Sequence, residues 1–388
     1  MRKFRTVLKW LVVIAGLIFG IGTGIAVIYQ DEIEALSIIE LNKRLHKPVD
    51  VEEVNFSLFE KFPWASIHFK NVTAYDDPGK SKVLIQANSI FLQFSILDLS
   101  AKSYTIKKVQ FKNGRVNLTI DKHGNHNMHF WKSEGQDSIQ GGELSLDLEN
   151  VLLSNMELDY SNKAKQTDVK ALIKSLQLRG NFQSTSFDMD VDADIRFHNA
   201  PEGLGALVKN NSVFYRGNLQ VDLRKHSYTF RKNSLTVGAL EFETSGHVTS
   251  SENQLQMDVS IHTENLKLAD LSLLLPETYS EKIKKYKAKG DINFEGTIKG
   301  VLSAKKNPGI QMNYTIQNGF ILHSESGVKL NKLSFSGSFT NGSNHTLRDS
   351  RIFIDTLHAE LGNGTLSGHV EINNLKDPHL HIYTNSQL

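Results

Sequence analysis

The sequence contains no cysteine. That excludes disulfides, thiolate metal sites and a cysteine nucleophile, so the chain must hold together through its own packed core. It also lacks a surplus of one charge. The net charge is +2 and 22% of residues are charged, which implies neither nucleic acid nor an acidic substrate as partner. There is no G-x-S-x-G, H-E-x-x-H, P-loop or G-x-G-x-x-G pattern. No catalytic residue, cofactor or metal is therefore assigned, and the chain reads as non-enzymatic. Long apolar runs are missing with one exception, residues 10–29, which carry no charged side chain.

That run spans about 30 Å as a helix, the thickness of a bilayer core. Arg2, Lys3, Arg5 and Lys9 precede it, and Asp31, Glu32 and Glu34 follow it. The positive-inside rule then places the N-terminus in the cytoplasm and the body on the far side. A cleaved signal peptide is the competing reading, but the run is long for one and no A-x-A site closes it. The mean hydropathy of the whole chain is −0.30, so nothing beyond this run is expected to be embedded. The expected organisation is a cytoplasmic stub and anchor over residues 1–30, a juxtamembrane helix over 31–48 and a β-rich body over 49–388.

From Val49 onward the hydrophobic period is two. Phe187, Met189, Val191, Ala193, Ile195 and Phe197 alternate with Asp188, Asp190, Asp192, Asp194 and Arg196, a strand with one apolar and one wet face. The pattern returns at Leu144–Leu148 and Met156–Tyr160, at Leu255, Met257, Val259 and Ile261, and at Ile292 and Phe294. It appears again at Ile310, Met312, Tyr314 and Ile316, and at Leu333, Phe335 and Phe339. Turns are expected at Asp76-Asp77-Pro78-Gly79, Lys112-Asn113-Gly114, His123-Gly124-Asn125, Gln317-Asn318-Gly319 and Asn341-Gly342. With no β–α–β rhythm, the expected fold is mainly β, an antiparallel meander interrupted by short helical pieces at residues 201–210 and 268–286. Residues 106–118 echo residues 148–160, each an apolar strand with an Asn before a second alternating strand, which fits a repeated hairpin.

Three clusters invite chemistry. His123, His126 and His129 have H-x-x-H-x-x-H spacing, but Gly124 and Asn125 place them in a turn, where the rings do not converge on a metal. Alternate carboxylates from Asp188 to Asp194 lie about 6.6–7 Å apart on a strand and do not surround one Ca²⁺. Lys282, Lys284, Lys285, Lys287 and Lys289 read as a solvated helix end or as a contact for lipid headgroups.

Residues 41–76 carry a resemblance. Leu41-Asn42, Leu45, Pro48-Val49, Ser57-Leu58-Phe59, Phe62-Pro63, Ile67, Phe69 and Asn71-Val72, following the anchor, resemble the N-terminal region of the AsmA family of bacterial envelope proteins. The likeness continues through residues 83–90, through Ile96-Leu97-Asp98-Leu99, through Ile106-Lys107-Lys108-Val109, and through Asp121, Gly124 and Asn127. Farther on, Leu271 to Pro276 followed by Gly290-Asp291-Ile292 is similar to a leucine-rich passage of that family. It is firm over about the first third of the chain; many relatives are longer, and the chain reads as a fragment of such a protein.

The resemblance implies an elongated β-sheet curled into a groove, as in the bridge-like lipid transfer proteins. It also implies a place in the bacterial inner membrane with a periplasmic body, and a part in phospholipid transport and outer-membrane homeostasis. The implied partners are phospholipid or other acyl lipids, the inner membrane through residues 10–29, and envelope proteins. The lipid-facing positions would be the apolar strand residues Phe187, Met189, Val191, Ile195, Phe197, Leu255, Met257, Val259, Ile261, Ile292, Phe294, Leu333, Phe335 and Phe339. On sequence alone, a stack of closed β-sandwiches or barrels with dry cores remains the other architecture. A structural or assembly factor for outer-membrane proteins remains the other function.

Overall fold

The computed structural model describes residues 49–77, 79–95, 104–127, 144–164, 167–182, 184–199, 208, 211–251, 254–270, 285–303 and 306–387. The expected anchor, the juxtamembrane helix and nearly all of residues 201–210 lie outside them. Among the described residues no helix is long and apolar enough to cross a membrane. The chain divides into two compact units, residues 1–183 and 184–388.

The first unit contains β1 (Val49–Asp50), β2 (Glu53–Lys61), β3 (Trp64–Tyr75), β4 (Val83–Ser95), β5 (Tyr104–Ile120), β6 (Leu144–Asn162) and β7 (Thr167–Gly180). β1 and β2 both pair with β3, and the sheet continues through β4, β5, β6 and β7. Its buried apolar residues concentrate at β2–β5, where Phe56, Leu58, Ala65, Ile67, Phe69, Val72, Phe94, Ile106 and Val109 form one cluster. The alternation Ala65, Ile67, Phe69 puts the apolar set on one face, as a half-buried strand requires.

The second unit contains β8 (Ser186–Asn199), β9 (Ser212–Asp222), β10 (Ser227–Val237), β11 (Leu240–Ser251), β12 (Gln254–Lys267), β13 (Tyr286–Ser303), β14 (Gly309–His323), β15 (Lys329–Thr340), β16 (Arg351–Leu361), β17 (Gly364–Asn373) and β18 (His379–Gln387). Each strand pairs antiparallel with the next, an up-and-down meander from β8 to β18. At about 4.8 Å per strand this sheet is roughly 48 Å wide. Among the described residues no pairing joins β18 back to β8.

The mainly β expectation is met, and four local expectations are corrected. First, the sheet is mixed, because β5 and β6 run parallel. A parallel pair needs a long return connection, and residues 121–143 separate the two strands. Second, the echo is not a repeated hairpin. Its two copies fall in β5 and β6, single strands of 17 and 19 residues. They lie side by side in the register of the echo itself, with Val109 opposite Val151, Phe111 opposite Leu153 and Val116 opposite Leu158. Third, Lys112-Asn113-Gly114 and Gln317-Asn318-Gly319 are not turns but interior positions of β5 and β14. Asn113, Asn155 and Asn318 take left-handed backbone conformations, with φ of 53°, 51° and 55°, so each kinks a continuing strand. Fourth, residues 268–270 form a single 3₁₀ turn, and the strand beginning at Tyr286 takes Lys287 and Lys289 out of the expected helix end.

Register slips recur along the second unit. In the second unit the register slips in β10 after Phe230, in β12 between Thr263 and Leu266, in β13 at Gly290, in β14 between Ile316 and Gly319, in β15 between Asn331 and Ser334, and in β16 between Ile354 and Leu357. Bulges bend a strand and increase its twist.

Candidate functional site: an apolar sheet face

Pairing registers place all the sequence-derived apolar positions on one face of the second unit. Phe187 lies opposite Val221, which lies opposite Tyr228, then Val248, Met257 and Gly300. A second row runs Met189, Leu219, Phe230, Gly246, Val259, Ile298 and Ile310. A third runs Ile261, Gly296, Met312, Phe339, Ile352, Ile372 and Leu380. Ile292 lies opposite Ile316 and Phe335, and Phe294 lies opposite Tyr314. Val191, Ile195 and Phe197 alternate with the wet face of β8, Leu255 sits opposite Leu302, and Leu333 opposite Gly319.

The face is unevenly covered. Val191, Ile292 and Leu333 are buried, whereas Phe187, Met189, Ile195, Phe197, Leu255, Met257, Val259, Ile261, Phe294, Phe335 and Phe339 are half-buried. Burial is deepest where Leu240, Phe242, Leu266, Ile292 and Ile316 cluster, with Phe242 packed edge-on against Phe294 at 5.8 Å. All of these side chains come from strands of the same sheet. Toward β18 cover disappears, and every residue of that strand is exposed.

Two devices on this face were not legible beforehand. At Gly217 an added Cβ would fall 2.1 Å from Cγ of Asn233, so the glycine leaves room for that side chain. Asn233 is completely buried. Its Oδ1 accepts from the Asn218 amide at 3.1 Å, and its Nδ2 donates to the Asn218 carbonyl at 3.1 Å and to the Tyr215 hydroxyl at 2.5 Å. It thus locks the β10 bulge to β9, satisfying the backbone groups that the slipped register leaves unpaired. The second device is Tyr314, whose ring lies across Gly337, where a Cβ would meet Cε2 at 2.3 Å. An aromatic ring over a strand glycine covers backbone that would otherwise be bare. The Tyr314 hydroxyl donates to the Phe353 carbonyl at 3.2 Å.

Burial pushes the Tyr314 phenol up to about 12. A raised pKa contributes stability that is present below the ordinary value of 10.0 and is lost as pH rises toward 12. Denaturant unfolding at stepped alkaline pH should therefore show stability falling across that window, and Tyr314→Phe should flatten that part of the profile. At neutral pH the same variant is expected to cost about 1 kcal/mol for the lost hydrogen bond.

The wet side is ordinary. Asp192 pairs with Nε of Arg216 at 2.9 Å, and Asp190 accepts from Asn218 Nδ2 at 3.1 Å, so these two carboxylates meet cross-strand donors. His123 and His126 lie in the turn after β5, organised around Asp121, whose Oδ1 accepts from the amides of His123 and Asn125 at 2.7 and 2.9 Å. These bonds, led by the Asn125 side chain, hold the Asp121 carboxyl below its usual value. His129 lies outside the described residues, among which no group of three His, Asp or Glu is placed to hold a metal ion. A cleft of about 430 Å³ at β15–β18 brings His358 and Glu360 near Ser367 and Asn385.

The class defined by this geometry is a mainly β protein whose most extensive feature is a half-covered apolar sheet face. Compared with protein-family models, curated proteins and solved structures, the chain has no match.

Proposed function

We propose that the chain is a lipid-binding and lipid-transfer protein of the AsmA-like type, held in a bacterial inner membrane by residues 10–29 with its body in the periplasm. It would contribute to phospholipid transport and outer-membrane homeostasis. The observation that carries this reading is the continuous apolar face of β8–β15, on which most side chains are only half-buried. Acyl chains laid on such a face gain about 0.8 kcal/mol per buried methylene. The wet face opposite carries Asp190, Asp192, Arg216 and Asn218 in mutual contact, which suits an aqueous surround. The clustered core draws on a single sheet, which favours a curled groove over two sheets packed face to face. A passive groove of this kind sets no direction, so a gradient or a partner must supply it.

Native mass spectrometry of the detergent-purified full chain is expected to show phospholipid carried through purification. A chain that emerges free of lipid, from cells rich in it, would remove the proposal.

A second reading rests on β18. Leu380, Ile382 and Tyr383 there are each more than half exposed, and a strand exposed along its length offers an edge for another chain to extend. An assembly factor for outer-membrane proteins would crosslink to nascent barrel strands through β18, with no dependence on the apolar face.

A further inference from the structure

The face of the first unit opposite its core gathers cations around aromatic rings. β3 and β4 present Trp64, Ser66, His68, Phe91 and Gln93 on that side, opposite Lys108, Gln110 and Lys112 of β5. Nζ of Lys108 lies 3.9 Å from the centre of the Trp64 ring. Nζ of Lys61 lies 4.1 Å from the centre of Phe91, and Nζ of Lys112 lies 5.3 Å from the same ring. Two ammonium groups thus share one ring, which His68 also stacks upon at 4.1 Å. Burial, followed by the charge of Lys112, holds Lys61 below its usual value.

The nearby carboxylates Glu60 and Glu149 act on Lys61 and Lys108 only from a distance. Glu60 sits 3.3 Å from Nδ1 of His68, and Glu149 sits 2.7 Å from Lys107. Among the described residues none of Lys61, Lys108 or Lys112 has a carboxylate within ion-pair distance, and Lys61 donates instead to Gln110 Oε1 at 3.0 Å. Beside this cluster, at the tip of the β2–β3 hairpin, Phe62 is 66% exposed and Phe59 36% exposed.

We infer that the tip of the β2–β3 hairpin, with Lys61, Lys108 and Lys112 behind it, is a docking surface for an anionic phospholipid bilayer. Charge complementarity selects the partner. Three ammonium groups with no ion-paired carboxylate match a layer of lipid phosphates, and an exposed phenyl ring beside them matches the zone between headgroups and acyl chains. A soluble phosphate would use the lysines and leave Phe62 in water; a bilayer uses both. This surface is independent of the lipid-bearing face of the second unit, so either can stand without the other.

The absence of cysteine makes the test clean. Phe62→Cys in the full chain gives one thiol, which takes an environment-sensitive fluorophore. The labelled chain, with its apolar segment masked in amphipol, is mixed with vesicles of phosphatidylcholine alone or containing phosphatidylglycerol. The expected result is a blue-shifted, brighter probe with the anionic vesicles only, reversed by salt. Lys61→Gln, Lys108→Gln and Lys112→Gln together should weaken the response at least tenfold. The corresponding arginine triple should retain it, which separates loss of charge from loss of fold. Four results would overturn the inference: vesicles that bind without a change at the probe, an equal response to neutral vesicles, a glutamine triple that binds undiminished, or a stronger response to single-stranded oligonucleotide than to vesicles.

Discussion

A carboxylate placed at Val259 is expected to empty the protein of lipid without unfolding it. Val259 lies mid-row between Gly246 and Ile298 and is half-buried, so in the lipid-free state an aspartate there can still reach water. In the loaded state it would face acyl chains, where an unpaired carboxylate is strongly disfavoured. Phospholipid retained by Val259→Asp should fall at least tenfold, with the far-ultraviolet circular dichroism unchanged and the melting temperature lowered by only a few degrees. The matched control is Ile292→Asp. Ile292 is buried among Leu240, Phe242, Leu266 and Ile316, and a carboxylate there is expected to cost more than about 3 kcal/mol and unfold the second unit. If both variants unfold alike, the face is a dry core and the lipid proposal fails.

Asn233→Leu is expected to destabilise the second unit by about 2–4 kcal/mol although it replaces a buried amide with a hydrocarbon of similar size. The loss follows from the partners. The Asn218 amide and carbonyl and the Tyr215 hydroxyl all bond to that one side chain, and leucine removes that partner from all three. Urea unfolding of the full chain, read at the transition that Ile292→Asp removes, measures the change. A shift below about 0.5 kcal/mol would mean that the bulge holds without its asparagine.

The alternation of apolar and polar residues was enough to place the strands and to group Phe187, Met257, Val259 and Phe339 on one face, because side-chain direction in a strand follows parity alone. Parity does not say which strand lies beside which, nor in which direction. The parallel pairing of β5 with β6 therefore left no trace in periodicity, although the echo between the two segments did record their register. Asparagine before glycine signals a residue that tolerates positive φ. A hairpin turn and a bulge inside a strand both need such a residue, so Asn341-Gly342 proved to be a turn while Asn113-Gly114 and Asn318-Gly319 proved to be kinks. Asn233 and Tyr314 stayed hidden for another reason. Each earns its role from a glycine on a neighbouring strand, Gly217 and Gly337, and that partnership exists only once the register is set. The same holds for Lys61, Lys108 and Lys112, distant in the chain and brought over Trp64 and Phe91 by strand pairing.

The unbroken succession of neighbours from β8 to β18 has a consequence for how such a protein can change size. Each strand pairs only with the one before and the one after, and side chains reach one strand farther, as Phe242 to Phe294 and Tyr314 to Phe353 do, so stability accumulates from near neighbours, as in solenoid proteins. Gaining or losing one antiparallel hairpin would widen or narrow this sheet by about 9.6 Å while leaving the pairings of the other strands intact. Reach is then a quantity that evolution, or an engineer, can alter in increments.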